Sequence, residues 1–268
     1  MTDPPARLGS IFLRFSSIRS ALRHVPVLGD LLAWAAKKFL PRDALIWAQI
    51  ERGPAAGLWV RLNPRTGKIV QQASVEAQMQ QVLVDYLRPG MIFYDLGANI
   101  GFFSLLGARI VGSQGRVFSF EADPEIAGRL RENLARNNFV NAAVEEKAVW
   151  SEPGSVSFAR VDANSSPDRG LGHVASSASG ESNQITVEAT SLDHFALSYP
   201  PPDMLKCDVE GAETAVFDGA LRLLREHRPI LLVEMHSAEN HKLLTQKFSE
   251  LGYSCRDLDD THVLALPQ

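Results

Sequence analysis

The sequence is poor in cysteine, in long apolar runs and in positive charge. Only two cysteines occur in 268 residues, Cys207 and Cys255, and they stand 48 positions apart. Their apolar surroundings argue against a disulfide framework and against a cysteine metal site. No run of eighteen apolar residues occurs, and the N-terminus lacks an apolar core followed by a small-residue cleavage site, so we expect neither a spanning helix nor a secretory signal. These absences predict a reducing, cytoplasmic location.

Positive charge is concentrated at one end of the chain. Residues 1–50 carry seven Lys or Arg against three Asp, net +4, whereas the whole chain has a formal charge of −4, which leaves −8 for the remainder. An acidic body argues against nucleic acid as the main partner, because phosphate binding needs a basic face. Between residues 8 and 40 the basic residues accompany apolar ones at helical spacing. We expect a helical arm there, with packing on the domain or on a partner subunit favoured over peripheral contact with a membrane.

The apolar patterns divide the chain into three parts. Residues 1–43 are the basic amphipathic extension, residues 44–88 predict a hairpin and a helix, and residues 89–268 form the main domain. A Ser/Gly/Asn-rich segment, 159–184, interrupts the main domain and predicts a long polar loop. One domain with an N-terminal appendage is therefore expected.

Strand and helix patterns alternate through the main domain. Strands are predicted near 91–96, 116–121, 143–149, 203–209 and 229–235, and helices near 101–111, 124–138, 212–226 and 238–251. Two final runs, Tyr253 to Leu258 and Thr261 to Leu266, predict an antiparallel hairpin. This order is typical of a Rossmann-like α/β fold, with a mostly parallel seven-stranded sheet and helices on both faces.

A glycine-bearing turn follows the first strand of the main domain, with Asp95, Gly97, Asn99 and Gly101 as its distinctive residues. In a doubly wound sheet such a turn lies where ligands bind, and glycines let the backbone approach them. A dinucleotide enzyme usually has a glycine where Asn99 stands, and a pyrophosphate would be repelled by Asp95. A cationic amino group would be attracted instead. We therefore predict S-adenosylmethionine as the cofactor and disfavour the alternative, a nicotinamide-dependent oxidoreductase.

Two later strand ends complete the predicted cofactor site. Glu121 ends the second strand twenty residues after Gly101, and is placed to accept hydrogen bonds from both ribose hydroxyls. Ala148 lies at the end of the third predicted strand, where adenine is expected. The order and spacing of these features are more specific than any one of them.

Five segments together resemble the FkbM-type methyltransferases, over about residues 45 to 258. They are Asp95–Gly101, Phe118–Pro124, Thr190–Asp193, Leu205–Glu213 and Ile230–His236. The resemblance implies a class I methyltransferase fold, with residues 89–268 as the S-adenosylmethionine-binding catalytic domain. It also implies O-methylation of a hydroxyl on a sugar, glycolipid or secondary metabolite, so the expected partner is a small-molecule, glycan or lipid acceptor.

The reaction itself needs residues beyond the cofactor turn. Methyl transfer is an in-line displacement, and an alkyl hydroxyl needs a general base or a metal ion. Asp208, at the end of the fourth strand, is expected nearest the reacting centre and also in contact with the cofactor. Glu234 and His236 end the fifth strand and share a face.

Two uses of these three residues are weighed. The favoured hypothesis is metal-free, with His236 as general base oriented by Glu234. The alternative is a divalent metal ion held by all three. Carboxylates at three strand ends also argue against a non-catalytic binding module. The acceptor's identity and the oligomeric state, for which an oligomer stays open, are not encoded in any motif.

Overall fold

A computed structural model describes residues 44–63, 77–160, 172–174 and 183–268. Within them the chain forms thirteen strands and seven helices. The strands are β1 (Ile46–Gln49), β2 (Trp59–Leu62), β3 (Ile92–Leu96), β4 (Arg116–Phe120), β5 (Ala142–Glu145), β6 (Ala148–Val149), β7 (Gly154–Ala159), β8 (His173–Val174), β9 (Gln184–Thr190), β10 (Met204–Cys207), β11 (Ile230–Glu234), β12 (Tyr253–Asp257) and β13 (His262–Pro267). The helices are α1 (Ala77–Tyr86), α2 (Phe102–Val111), α3 (Pro124–Arg136), α4 (Leu192–Phe195), α5 (Glu213–Asp218), α6 (Leu221–Glu226) and α7 (Ala238–Glu250).

The central sheet has seven strands in the order β12-β13-β11-β10-β3-β4-β5. All neighbours from β11 to β5 are parallel, whereas β13 runs antiparallel to both β11 and β12. The predicted mostly parallel sheet with a closing antiparallel hairpin is therefore confirmed. Because parallel strands end at one edge, the carboxyl ends of β3, β4, β10 and β11 come together there.

Alternation along the strands buries both faces of the sheet. Phe93 of β3 packs with Leu83 of α1 and Leu105 of α2. The next residue, Tyr94, packs on the other face with Phe195 of α4 and belongs to the same cluster as residues of α5, α6 and α7. Successive side chains of a strand point to opposite faces, so apolar residues at consecutive positions require helices on both sides. The predicted helices on both faces are confirmed.

The β1–β2 hairpin is docked onto α3. Asn137 accepts a hydrogen bond from the Trp59 N–H at 2.8 Å, and Asn133 accepts one from the Arg61 N–H at 2.7 Å. Leu62 is buried in the same cluster as Phe93 of the central sheet. The hairpin predicted within residues 44–88 thus shares a core with the main domain. The three-part division itself stays a prediction, since residues 1–43 and 64–76 lie outside the described residues.

Two predicted elements are interrupted. The strand expected at 143–149 divides into β5, which pairs with β4, and β6, which pairs with β9 in a different sheet. The Lys147 N–H bonds back to the Glu145 carbonyl at 2.9 Å, so the chain turns there. The helix expected at 212–226 breaks at Gly219, where a Cβ would lie 2.4 Å from the Trp150 carbonyl oxygen. The carboxylate of Asp193 accepts hydrogen bonds from the N–H groups of residues 222 and 223, so α6 begins there as a separate helix.

A second sheet, in the order β6-β9-β7-β8, flanks the predicted polar loop, and the sequence predicted neither β7 nor β9. Of the predicted loop 159–184, the first residue ends β7 and the last begins β9, and β8 lies between them. Residues 161–171 and 175–182 lie outside the described residues. Among the described helices, none has the length and apolar character needed to cross a membrane.

Candidate active site

The carboxyl ends of β3, β4 and β10 open into a cleft with an empty volume of about 680 Å³. We call it the strand-end cleft. This volume includes space that is open to solvent. Five residues predicted from sequence line it: Gly97, Asn99, Glu121, Ala148 and Asp208. Asp95 and Gly101 lie behind this wall.

The two glycines of the turn are needed for packing. Gly97 has a φ of +70°, and a Cβ there would lie 1.7 Å from the Asp208 carbonyl oxygen. Gly101 has a φ of +92°, and its Cβ would lie 2.1 Å from the Leu130 side chain. Both positions therefore exclude a side chain because a neighbouring segment fills the space. The sequence predicted ligand approach at both glycines. Gly97 lines the strand-end cleft and Gly101 does not, and the ligand role of each stays a prediction.

Asp95 lies beneath the floor of the strand-end cleft. Its side chain has no exposed surface. One carboxylate oxygen accepts a 2.6 Å hydrogen bond from Ser104 Oγ, and the other lies 3.5 Å from Lys206 Nζ. Asp95 points to the α2 side of the sheet, as strand alternation dictates for a neighbour of Tyr94. The structure thus does not bring Asp95 to the cleft wall, where the sequence predicted a contact with a cationic ligand group.

Glu121 is held by backbone N–H groups at the middle of the cleft. Oε2 accepts from the Asn99 N–H and Oε1 from the Asp123 N–H, each at 2.8 Å. Burial raises the pKa of Glu121 to about 7, against the lowering effect of those two hydrogen bonds. Each carboxylate oxygen has a second lone-pair site, so the group can still accept two further hydrogen bonds. Asn99 adopts a φ of +51°, which aims its N–H at Glu121.

The end of the cleft beyond Glu121 is apolar. Its wall is formed by Phe120, Ile126, Ala148, Val149 and Phe158, all at least nine-tenths buried. Phe158 belongs to β7, so the second sheet closes this end. A flat aromatic ring system fits such a wall, because it loses apolar surface to water on binding.

The other end of the cleft meets a group of ionisable side chains, which we call the acid–histidine cluster. Its members are Asp208, Glu210, Glu213, Glu234 and His236. The structure brings the three predicted reaction residues together, since Asp208, Glu234 and His236 each place one ligand atom within 4.8 Å of the others. His236 Nε2 lies 3.3 Å from Glu210 and 3.7 Å from Asp208.

The partner of His236 differs from the one predicted. His236 Nδ1 bonds to Glu213 Oε1 at 2.8 Å, whereas the nearest Glu234 oxygen is 4.0 Å from Nε2. Glu234 instead lies 3.4 Å from His262 Nε2. The hydrogen bond that His236 makes to Glu213 raises the pKa of His236 to about 9, and the charges of Asp208 and Glu210 add to the effect. The expectation that Glu234 orients His236 is therefore wrong in the described geometry.

Comparison with known proteins agrees with this architecture. A family model described as the methyltransferase FkbM domain matches residues 95–255. The chain belongs to the FkbM methyltransferase family. Its resemblance to that family, inferred from sequence motifs, is confirmed, and with it the class I methyltransferase fold.

Individual relatives of this FkbM methyltransferase are distant. The hexuronic acid methyltransferase AglP of Haloferax volcanii is 28% identical over 181 residues, which cover 67% of this chain and 70% of AglP. The crystal structure of methyltransferase FkbM from Methylobacillus flagellatus has a TM-score of 0.48 and 18% identity, covering 69% of this chain and 50% of that one. A SAM-dependent O-methyltransferase from Thermotoga maritima has a TM-score of 0.46 and 13% identity, covering 85% and 87%. The chain spans only half the length of the Methylobacillus structure.

Four residues that sequence reasoning did not assign belong to the site of this FkbM methyltransferase: Lys206, Glu210, Glu213 and His262. Glu210 has a φ of +51°, so the alternation of side chains along β10 does not extend to it. Glu213 comes next to the site because the chain turns at Gly211. His262 could have been found from the closing hairpin, since it pairs in register with Glu234 across β11 and β13.

Each carboxylate that could serve as a metal ligand in this FkbM methyltransferase has a cationic side chain nearby. Asp208 lies 3.2 Å from Lys206 Nζ, and Glu234 lies 3.4 Å from His262 Nε2. Burial raises the pKa of Glu210, but His236 opposes that shift. Asp208, Glu234 and His236 are spaced to hold a divalent cation. Lys206 also lies 3.5 Å from Asp95, so these partners reduce the negative charge of the group without balancing it.

Proposed function

We propose that this protein transfers a methyl group from S-adenosylmethionine to a hydroxyl oxygen of a sugar, glycolipid or secondary metabolite. One observation carries the proposal. Asp208 and Glu210 line the strand-end cleft and also lie within 3.7 Å and 3.3 Å of His236 Nε2, so a proton acceptor stands beside the ligand cleft.

The residues present fit S-adenosylmethionine. Glu121 has two lone-pair sites for the ribose hydroxyls, and the apolar wall around Phe120 and Ala148 suits adenine. The methionine part would then extend past Gly97 towards Asp208. When bound, the cofactor supplies an electrophilic methyl group on a sulfonium. Asp208 is the residue we place nearest that group, where a carboxylate favours positive charge.

His236 is the group we propose to remove the acceptor's proton. Its Nε2 faces the cleft side of the cluster, whereas Nδ1 is occupied by Glu213. With a pKa of about 9, His236 is mostly protonated near neutral pH, so its neutral, proton-accepting form, and with it turnover, should grow as the pH rises towards 9. His236 would take the proton that the acceptor hydroxyl loses when its oxygen replaces sulfur on the methyl carbon, so that the methyl–sulfur bond breaks and the products are the methyl ether and S-adenosylhomocysteine. The proposal is metal-free, because Asp208 and Glu234 already have Lys206 and His262 as their partners.

The acceptor oxygen should be an uncharged hydroxyl. Three carboxylates, those of Asp208, Glu210 and Glu234, surround His236 Nε2 within 4.0 Å. A free carboxylate brought to this place would be repelled, since like charges at such distances are unfavourable. A uronic acid, the class named for AglP, would therefore be methylated at a ring hydroxyl and not at its carboxylate.

Location and partners complete the proposal. Cys207 and Cys255 are both free thiols, which suits a cytoplasmic protein. The charge of −8 beyond residue 50 suits a small-molecule, glycan or lipid acceptor better than nucleic acid. Membrane contact through the basic residues 1–43, and oligomer formation, stay predictions because those residues lie outside the described ones.

The test is a methyl-transfer assay with isotopically labelled S-adenosylmethionine. Neutral glycosides, free glucuronic acid and methyl glucuronate are offered as acceptors, and extracts of a deletion strain supply the natural one. We expect labelled product that survives mild alkali, as an ether does. Labelled product that alkali hydrolyses would be an ester and would overturn the hydroxyl assignment. Transfer to none of these acceptors or extracts would overturn the function.

A further inference from the structure

Glu213 is the most deeply buried member of the acid–histidine cluster. Its side chain has no exposed surface, whereas that of His236 is 23% exposed. A buried carboxylate is costly unless it is fully hydrogen-bonded. Burial alone would raise the pKa of Glu213, yet hydrogen bonds from His236 and from backbone N–H groups lower it overall. These hydrogen bonds therefore keep the carboxylate ionised although it is buried.

Three donors converge on the two oxygens of Glu213. Oε1 accepts from His236 Nδ1 at 2.8 Å and from the Gly211 N–H at 2.9 Å. Oε2 accepts from Asn240 Nδ2 at 2.7 Å. Asn240 is itself braced, because its Oδ1 accepts from Thr214 Oγ1 at 3.2 Å and its N–H is capped by Ser237 at 3.0 Å. Glu213 thus links the starts of α5 and α7 to His236, two residues after the end of β11.

We propose that Glu213, braced by Asn240, is the positioning residue that holds His236 with Nδ1 protonated and Nε2 directed at the acceptor. An ionised carboxylate only accepts hydrogen bonds, so Nδ1 must be the donor. Whenever His236 is neutral, its lone pair is then on Nε2, the nitrogen that faces Asp208 and Glu210. The alternative tautomer would put a proton on Nε2, which could not accept one from a hydroxyl. The role in turnover rests on the proposed function, whereas the tautomer does not.

Glu213→Gln is the discriminating variant, because it keeps the shape and removes one acceptor. Three donors then face one oxygen and one NH₂ group, so they cannot all be satisfied. The Gln NH₂ can also donate to His236 Nδ1 and stabilise the wrong tautomer, and a neutral isostere at the equivalent place in a serine-protease triad costs about 10⁴-fold in turnover. The matched control is Glu239→Gln, which removes the same charge from an exposed position one residue before Asn240.

The first measurement is proton and nitrogen NMR of the full chain with ¹⁵N-labelled histidine. The His236 signal is identified by its loss in His236→Gln. We expect a slowly exchanging Nδ1–H resonance in the wild type and in Glu239→Gln, and its loss in Glu213→Gln. An Nδ1–H resonance that persists unchanged in Glu213→Gln overturns the proposal, whether or not the protein proves to be a methyltransferase.

The second measurement separates positioning from folding. Affinity for S-adenosylhomocysteine measures the integrity of the cleft, and the thermal unfolding midpoint measures the stability of the fold. Turnover of an acceptor identified by the methyl-transfer assay measures the reaction. For Glu213→Gln we expect kcat to fall by about 10²-fold or more with the affinity retained. Asn240→Ala should lower kcat less, because Oε1 keeps its donors. A loss of affinity and stability in Glu213→Gln with kcat unchanged would assign Glu213 a structural role and overturn the proposal.

Discussion

The strand-end cleft and the acid–histidine cluster lie side by side at one edge of the sheet, yet they are held in different ways. The cleft positions Glu121 through the backbone N–H groups of Asn99, 22 positions before it, and Asp123, two positions after it. The cluster positions His236 through another side chain, that of Glu213. Ligand recognition here depends on backbone donors, whereas the reacting groups depend on contacts between side chains. Substitutions in the two regions should therefore have different consequences.

The largest expected effect comes from His236→Ala. We expect a fall in kcat of about 10³-fold, because a general base contributes roughly 10²–10⁴-fold, while affinity for S-adenosylhomocysteine is retained. Steady-state kinetics and isothermal titration calorimetry measure the two. His241→Ala, which removes a surface histidine paired with Asp257 at 2.9 Å, is the control and should leave both unchanged. A weakened affinity with normal kcat would show that the cluster belongs functionally to the cleft.

The cleft should instead respond to Gly97→Ala. A Cβ there meets the Asp208 carbonyl oxygen at 1.7 Å and needs a φ of +70°, so we expect a loss of about 2–5 kcal/mol in unfolding free energy. Gly112→Ala is a matched control, because its φ is +66° but nothing lies within 4 Å of the added Cβ. With a ψ of −170°, Gly112 lies in a backbone region nearly restricted to glycine, so the change should cost about 1–3 kcal/mol. Equal losses in urea denaturation would mean that backbone conformation, and not the contact between β3 and β10, requires Gly97.

A smaller effect is expected when the Glu121 carboxylate is protonated, which should weaken cofactor binding. Ribose hydroxyls prefer the ionised carboxylate, and the pKa of the ligand-free group is raised to about 7 by burial. Affinity for S-adenosylhomocysteine should therefore be highest above pH 7 and fall as the pH drops below it, by up to about tenfold per pH unit. The groups that face Glu121 are the backbone N–H groups of Asn99 and Asp123, the Asp123 carboxylate and Lys206.

Glu121→Gln tests this assignment directly. It should weaken binding by about 10- to 100-fold at pH 8, because a hydrogen bond to a charged group is worth roughly 1.5–3 kcal/mol, and it should remove the pH dependence. Glu125→Gln, at the start of α3, is the control. Unchanged pH dependence in Glu121→Gln would move the titrating group elsewhere in the site.

The smallest expected effect is that of metal removal. Asp208, Glu234 and His236 are spaced for a cation, but Asp208 already pairs with Lys206 and Glu234 with His262. We expect turnover to be unchanged after dialysis against EDTA and unaffected by added Mg²⁺ or Mn²⁺. Activity that is lost with EDTA and restored by one of these ions would replace the metal-free proposal with a metal-assisted one.

The sequence predicted the α/β order, the closing hairpin and five residues of the cleft wall. It did so because strand and helix periods and glycine turns are local signals. It failed where neighbours in space decided the outcome. The strand predicted at 143–149 divides because β6 finds a partner in β9, and the helix predicted at 212–226 divides because Asp193 caps its second half. Asp95 was assigned to the cleft although the sheet turns it towards Ser104.

By itself, the sequence determined the family, the order of strands and helices along the chain and the turn from Asp95 to Gly101, because these depend on residues close together in the chain. It also determined that Glu121 ends a strand beside that turn. Only the tertiary structure decided which acid holds His236 and which histidine accompanies Glu234. Glu213 lies 23 positions before His236 and meets it only where two strand ends and a sharp turn converge. Such pairings depend on strand order and side-chain direction, which no local pattern contains.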